Sequence, residues 1–155
     1  MIELIYIPFL VLLMICIITD CQKRIIPDVI TLPGTVYFLL IHLVVKDITI
    51  WQSLIGAIGL GSIALLLAIM SKGKLGGGDI KLFAMVGACL GWSAGIWAFL
   101  FTFPLAAFVA LPLLLLRKVA PKTFHVPNEL PLAPFIGISC FLLMVLLQKV
   151  AETYV

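Results

Sequence analysis

What most constrains this sequence is a series of apolar runs. Residues 2–18, 29–45, 50–70, 80–90, 94–116 and 132–150 are almost wholly hydrophobic, and short polar breaks separate them. About 20 apolar residues cross the hydrocarbon layer of a bilayer as a helix. Backbone groups in that layer find no water, so each run must satisfy its own hydrogen bonds, which a helix does. A soluble domain is roughly half apolar and about a quarter charged. Here 64% of 155 residues are hydrophobic and 11% are charged, with a mean hydropathy of +1.30. The expected fold is therefore an all-α integral membrane protein of six transmembrane helices, the fourth short, with residues 1–155 as one polytopic domain. Pro33-Gly34 should interrupt the second span early, and Pro104 and Pro112 should kink the fifth. Glu3 stands where a signal peptide carries its basic n-region, and no small-x-small site follows, so the first run reads as a span.

The basic residues orient these spans. Lys23, Arg24, Lys72, Lys74, Arg117, Lys118 and Lys122 fall in the first, third and fifth loops, and Lys81 adjoins the third. Only Lys46 and Lys149 fall on the other side. The odd-numbered loops should be cytoplasmic and both termini outside. Membrane lipid is an expected partner; nucleic acid is not.

Within this pattern one polar stretch stands out, Lys72-Gly73-Lys74-Leu75-Gly76-Gly77-Gly78-Asp79. An acid at the edge of a hydrophobic span is costly and marks a candidate functional site. The glycines let the backbone bend and let another segment come close. Asp20, in the first loop, is the acid that the topology brings to the same face. Simpler roles exist for each acid alone. Asp79 and Asp28 could each N-cap a helix. Asp20 could pair weakly with Lys23 or Arg24, and Lys81 could snorkel to the surface or pair with Asp79.

Other chemistry finds few parts. Cys16, Cys89 and Cys140 read as small apolar fillers and Cys21 as a loop residue; the four cysteines form no CxxC pair. His42 lies inside a span on the other side, and His125 stands alone in the fifth loop. No metal cluster, Ser/His/Asp set or cofactor site is expected. Trp51, Trp92, Trp97 and Tyr154 read as interface anchors or packing residues. Gly87, Gly91 and Gly95 recur every four residues, which makes a small-residue packing face on one helix, or eases two helices together if the chain turns at Gly91-Trp92-Ser93. Two carboxylates held together at a partly buried site share a proton. One can then take a proton from water while the other gives one to a peptide bond.

Gly76-Gly77-Gly78-Asp79-Ile80-Lys81-Leu82 resembles the GxGD-x-K-L signature of the type IV prepilin leader peptidases. Asp20 through Ile26-Pro27-Asp28 is similar to that family's other aspartate motif, Gly87-Ala88-Cys89-Leu90-Gly91-Trp92 to its GA-x-LGW stretch, and Pro131-Leu132-Ala133-Pro134-Phe135 to its late P-x-x-PF segment. The four occur in order across nearly the whole chain. The resemblance implies an aspartic endopeptidase with Asp20 and Asp79 as catalytic pair, multi-pass in the cell membrane with its site at the cytoplasmic face. Its substrates would be prepilin-like single-helix precursors of a pilus, secretion or competence system. Gly76, Gly78, Pro27 and Pro134 would shape the site, and Lys23, Arg24 and Lys81 would tune its potential. Longer family members also carry an additional N-terminal segment and a loop with paired CxxC motifs, and they methylate the mature pilin. Without those cysteines the expectation is a stand-alone peptidase of the short type. Two alternatives remain: a GxGD protease for another precursor, such as a preflagellin or a signal-peptide remnant, and a small proton or ion transporter. Transport sites favour acids near the midplane and an internal repeat, whereas these acids sit at helix ends.

Overall fold

A computed structural model describes residues 3–73, 75–119 and 131–153. These form five helices: α1 (Glu3–Lys23), α2 (Asp28–Val45), α3 (Ile50–Met70), α4 (Gly77–Val119) and α5 (Ala133–Thr153). The first four contain stretches long and apolar enough to cross a membrane. Exposure follows the same logic. Ile7, Val11, Leu66, Ile69 and Phe108 lie on the outer surface, while Ser53, Thr102 and Ser139 are buried. Water-soluble folds bury the apolar side chains and expose the polar ones; a lipid-facing surface tolerates the reverse.

The count of five differs from the expected six because the fourth and fifth spans form one element, α4. Its single non-helical residue is Gly91, with φ 73° and ψ −179°. This backbone region is essentially reserved for glycine. The chain reverses there. A Cβ on Gly95 would lie 3.5 Å from the Cα of Gly87, and the Phe83 and Phe99 rings are 4.7 Å apart. Sixteen residues along a straight helix would separate them by roughly 24 Å. Residues 77–90 and 92–119 are thus two arms packed side by side.

The early interruption expected at Pro33-Gly34 is absent. The helix continues through Pro33, Pro104 and Pro112; membrane helices tolerate proline where neighbouring groups re-satisfy the freed carbonyls. Helix α1 does not stop at residue 18 but runs to Lys23. The Thr19 hydroxyl bonds back to the carbonyls of Ile15 (2.9 Å) and Cys16 (3.0 Å), so polarity ends the apolar run without ending the helix. Asp20 and Cys21 therefore stand on the last turn of α1, not in a loop.

The short arm of α4 is the centre of the molecule. Phe83, Met85 and Val86 are fully buried, and α3, α2 and α5 all pack on α4. Contact with α3 is closest where Gly56 meets Gly87, since a Cβ on either glycine would overlap the other's carbonyl. The Ser53 hydroxyl donates to the Ala88 carbonyl on the same seam. Trp92 lies over Gly59 and, like Trp51 and Trp97, is exposed. Cys16, Cys89 and Cys140 are buried and Cys21 is exposed. Lys74, Lys122, His125 and Tyr154 lie outside the described residues, as do the side chains of Arg117 and Lys118.

Candidate active site

Three chain segments meet at one end of the bundle: the end of α1 with its link to α2, the start of α4, and the start of α5. Helix α1 closes with Arg24 in the left-handed region (φ 53°), its N–H donating to the Asp20 carbonyl at 2.9 Å. Such a closure satisfies a terminal carbonyl and turns the chain sharply. Pro27, extended at φ −72°, is the N-cap residue of α2. The link carries Ile26 inward, where it is buried.

Across from it lies the glycine loop. Lys72 (φ 56°) and Gly73 (φ 79°) turn the chain out of α3, and α4 begins at Gly77. Asp79 is not the N-cap of α4 but its third residue. Its Oδ2 accepts a hydrogen bond from the Gly76 N–H at 3.2 Å. An acid at this position, reaching back over the first turn, satisfies a donor that the helix leaves free. Gly76 leaves room for this carboxylate, because a Cβ there would sit 3.2 Å from Asp79 Oδ2. At Gly78 a Cβ would lie 2.8 Å from the Ile26 Cβ, so α4 rests directly on the α1–α2 link.

Between these walls is a cleft of about 190 Å³, with Asp20, Arg24 and Ile26 on one side and Gly76, Gly78 and Asp79 on the other. Asp20 and Asp79, 59 positions apart in the sequence, line it together, near enough for the charge of one to act on the other. Asp20 is 7% exposed. Its Oδ2 accepts the Ala133 N–H at 3.0 Å. Ala133 is the first residue of α5, whose N–H has no partner within its own helix, and the positive helix end favours an anion there.

Of the other residues expected at the site, Arg24, Gly76 and Gly78 line the cleft, and Pro27 follows directly on its wall. Pro134 is the second residue of α5, where its missing N–H costs no helical bond. Lys23 is exposed at the end of α1. Lys81 pairs not with Asp79 but with Asp28, Nζ to Oδ2 at 2.5 Å. That pairing also replaces the capping role expected of Asp28, which is the first helical residue of α2. His42 is buried on α2 and bonds the Cys89 carbonyl at 3.2 Å. Sequence reasoning missed Ala133 and Ile26. A backbone N–H carries no residue signature, and only the Pro131-to-Phe135 segment hinted that a helix starts there. Among the described residues, no three His, Cys, Asp or Glu side chains cluster as a metal ion would require.

Comparison with known proteins points to one family. A family model described as the Type IV leader peptidase family matches residues 7–111. The chain is 29% identical over 140 residues to a "Prepilin leader peptidase/N-methyltransferase" of Aeromonas hydrophila, covering 87% of this chain and 47% of the relative. A protein of the same name from Bacillus subtilis (strain 168) is 28% identical over 151 residues, covering 95% and 57%. One from Klebsiella pneumoniae is 36% identical over 88 residues, covering 54% and 39%. The chain thus spans about half the length of the curated relatives it matches. No solved structure matches it significantly.

Proposed function

This chain belongs to the type IV leader peptidase family, and on that footing we propose that it is an aspartic endopeptidase removing the short basic leader of prepilin-like precursors. The observation that carries this reading is that Asp20 and Asp79, remote in sequence, line one cleft. A water between the two carboxyl groups attacks the scissile carbonyl carbon. One carboxylate takes the proton that water gives up, and the other carboxyl protonates the leaving amine. Each carboxylate is oriented by a backbone N–H, Asp20 by Ala133 and Asp79 by Gly76, and the two divide the roles of base and acid. No covalent intermediate forms, and after release one proton remains shared by the pair.

The bias of basic residues supports a cell-membrane topology with the cleft cytoplasmic and the two arms of α4 crossing separately, six crossings in all. The cut would then fall where a basic leader meets the precursor's apolar helix. Only the peptidase half of the relatives' name is carried over, since the four cysteines form no CxxC pair.

The test is processing of a prepilin-like precursor co-expressed in membranes with wild type, Asp20→Asn or Asp79→Asn, read by size on a gel. Wild-type cutting that both variants abolish is expected. Cutting that survives in both variants would refute the dyad, and a wild type that cuts no such precursor would refute the substrate class. Proton or ion flux that responds to the same variants would favour the transporter.

A further inference from the structure

Helix α4 presents two charged side chains near its start, and they point different ways. Asp79 and Lys81 are two residues apart, so about 200° of helix rotation separates them. Asp79 faces the cleft. Lys81 reaches from the other side of α4 to the Asp28 carboxylate, 53 residues earlier in the sequence. Asp28 opens α2 immediately after the link that carries Ile26 and Pro27. The start of α4 is therefore held at two places: Gly78 rests against Ile26, and Lys81 is tied to Asp28. The first contact sets how closely α4 approaches the link. It does not fix rotation at this end of the helix, because a glycine presents no side chain to engage; the buried Phe83, Met85 and Val86 hold the arm further along.

We propose that the Lys81–Asp28 ion pair sets the orientation of the first turn of α4 and so aims Asp79 at Asp20. The two are positioning residues; neither lines the cleft. This inference rests on the proposed dyad for its kinetic consequence, but the geometry it asserts exists without substrate. An exposed pair of this kind adds little to folding stability, so its removal leaves a folded protein in which α4 is less well aimed. Misplaced catalytic groups slow the chemical step more than they weaken binding.

The kinetic test compares wild type, Asp28→Asn, Lys81→Gln and the reversed pair Asp28→Lys with Lys81→Asp. Each single change should lower kcat about tenfold while KM stays within about twofold, and the reversed pair should recover most of the loss. Full kcat in the single variants, or a reversed pair no better than they are, overturns the proposal. A second test needs no substrate. In a chain with the four native cysteines replaced by alanine, Asp20→Cys and Asp79→Cys are joined by a short bismaleimide in membranes. Adding Lys81→Gln should slow that cross-link, and the reversed pair should restore it. An unchanged cross-linking rate overturns the inference, whatever the protein cleaves. If the wild type cuts no precursor but cross-linking depends on the pair, the protease reading fails and the positioning role stands.

Discussion

The carboxylate of Asp20 accepts a hydrogen bond from the backbone N–H of Ala133, 3.0 Å away and 113 residues further along the chain. One candidate catalytic group is thus fixed by the end of another helix and not by a neighbouring side chain. Replacing Ala133 with proline removes the donor and puts a ring carbon in its place, at a helix position where proline is otherwise accepted. Hydrogen bonds to a charged group contribute about 1.5–3 kcal/mol, so precursor cleavage should fall by an order of magnitude or more. Helix content by circular dichroism should be retained. Normal cleavage rates in Ala133→Pro would show that the bond does not matter to the chemistry.

The neighbouring glycines Gly77 and Gly78 should respond differently to alanine. A Cβ at Gly77 meets nothing within 4 Å, while one at Gly78 runs into Ile26. Gly78→Ala should lift α4 from the α1–α2 link and reduce cleavage, and Ile26→Ala should partly restore it. Equal effects of Gly77→Ala and Gly78→Ala would contradict this packing.

The seam between α3 and α4 predicts a loss of stability. Gly56→Ala or Gly87→Ala forces a methyl group against the facing backbone. Overpacking of this kind costs about 1–3 kcal/mol, measurable as a lower melting temperature in detergent. An unchanged melting temperature in both variants would mean the helices do not meet there.

Gly91 offers a sharper backbone test. With φ 73° and ψ −179° it lies outside the left-handed helical region that asparagine tolerates. Gly91→Ala and Gly91→Asn should both destabilise the protein, by about 1–3 kcal/mol. Rescue by asparagine alone would indicate an ordinary left-handed turn.

Cys21 is exposed next to Asp20, while Cys16, Cys89 and Cys140 are buried. With the cleft at the cytoplasmic face, a membrane-impermeant maleimide should label Cys21 in inverted vesicles and leave it unlabelled in intact cells. Labelling in intact cells would reverse the proposed topology.

These residues also show what the sequence could reveal. Apolar runs and their charged breaks were enough for an all-α membrane fold, because the bilayer leaves the backbone few options. Gly91-Trp92-Ser93 marked the reversal between the two arms of α4. The extent of α1 was misjudged because Thr19 can bond to its own helix as readily as leave it. Asp20 and Asp79 stood out as acids beside apolar spans. Their fixing groups did not, for the Ala133 N–H belongs to the backbone, and Lys81 finds Asp28 only once α2 and α4 are side by side. Local chemistry is written in residue types; partners distant along the chain emerge from packing.

The reversal at Gly91 also sets how deep the cleft lies. It places the turn against Ile48 and Gln52, at the far end of α3. From there the arm of residues 77–90 climbs only about 21 Å, whereas α3, of 21 residues, climbs about 32 Å. A hydrocarbon layer of about 30 Å exceeds that length, so the short arm crosses only where the layer is locally thinner. Asp79 is consequently sunk below the level at which α3 ends, and the lipid around it must thin or let water in. On the proposed reading, water would thus come down to a bond at the bilayer's edge, and a precursor would be cut there without being drawn out of the membrane.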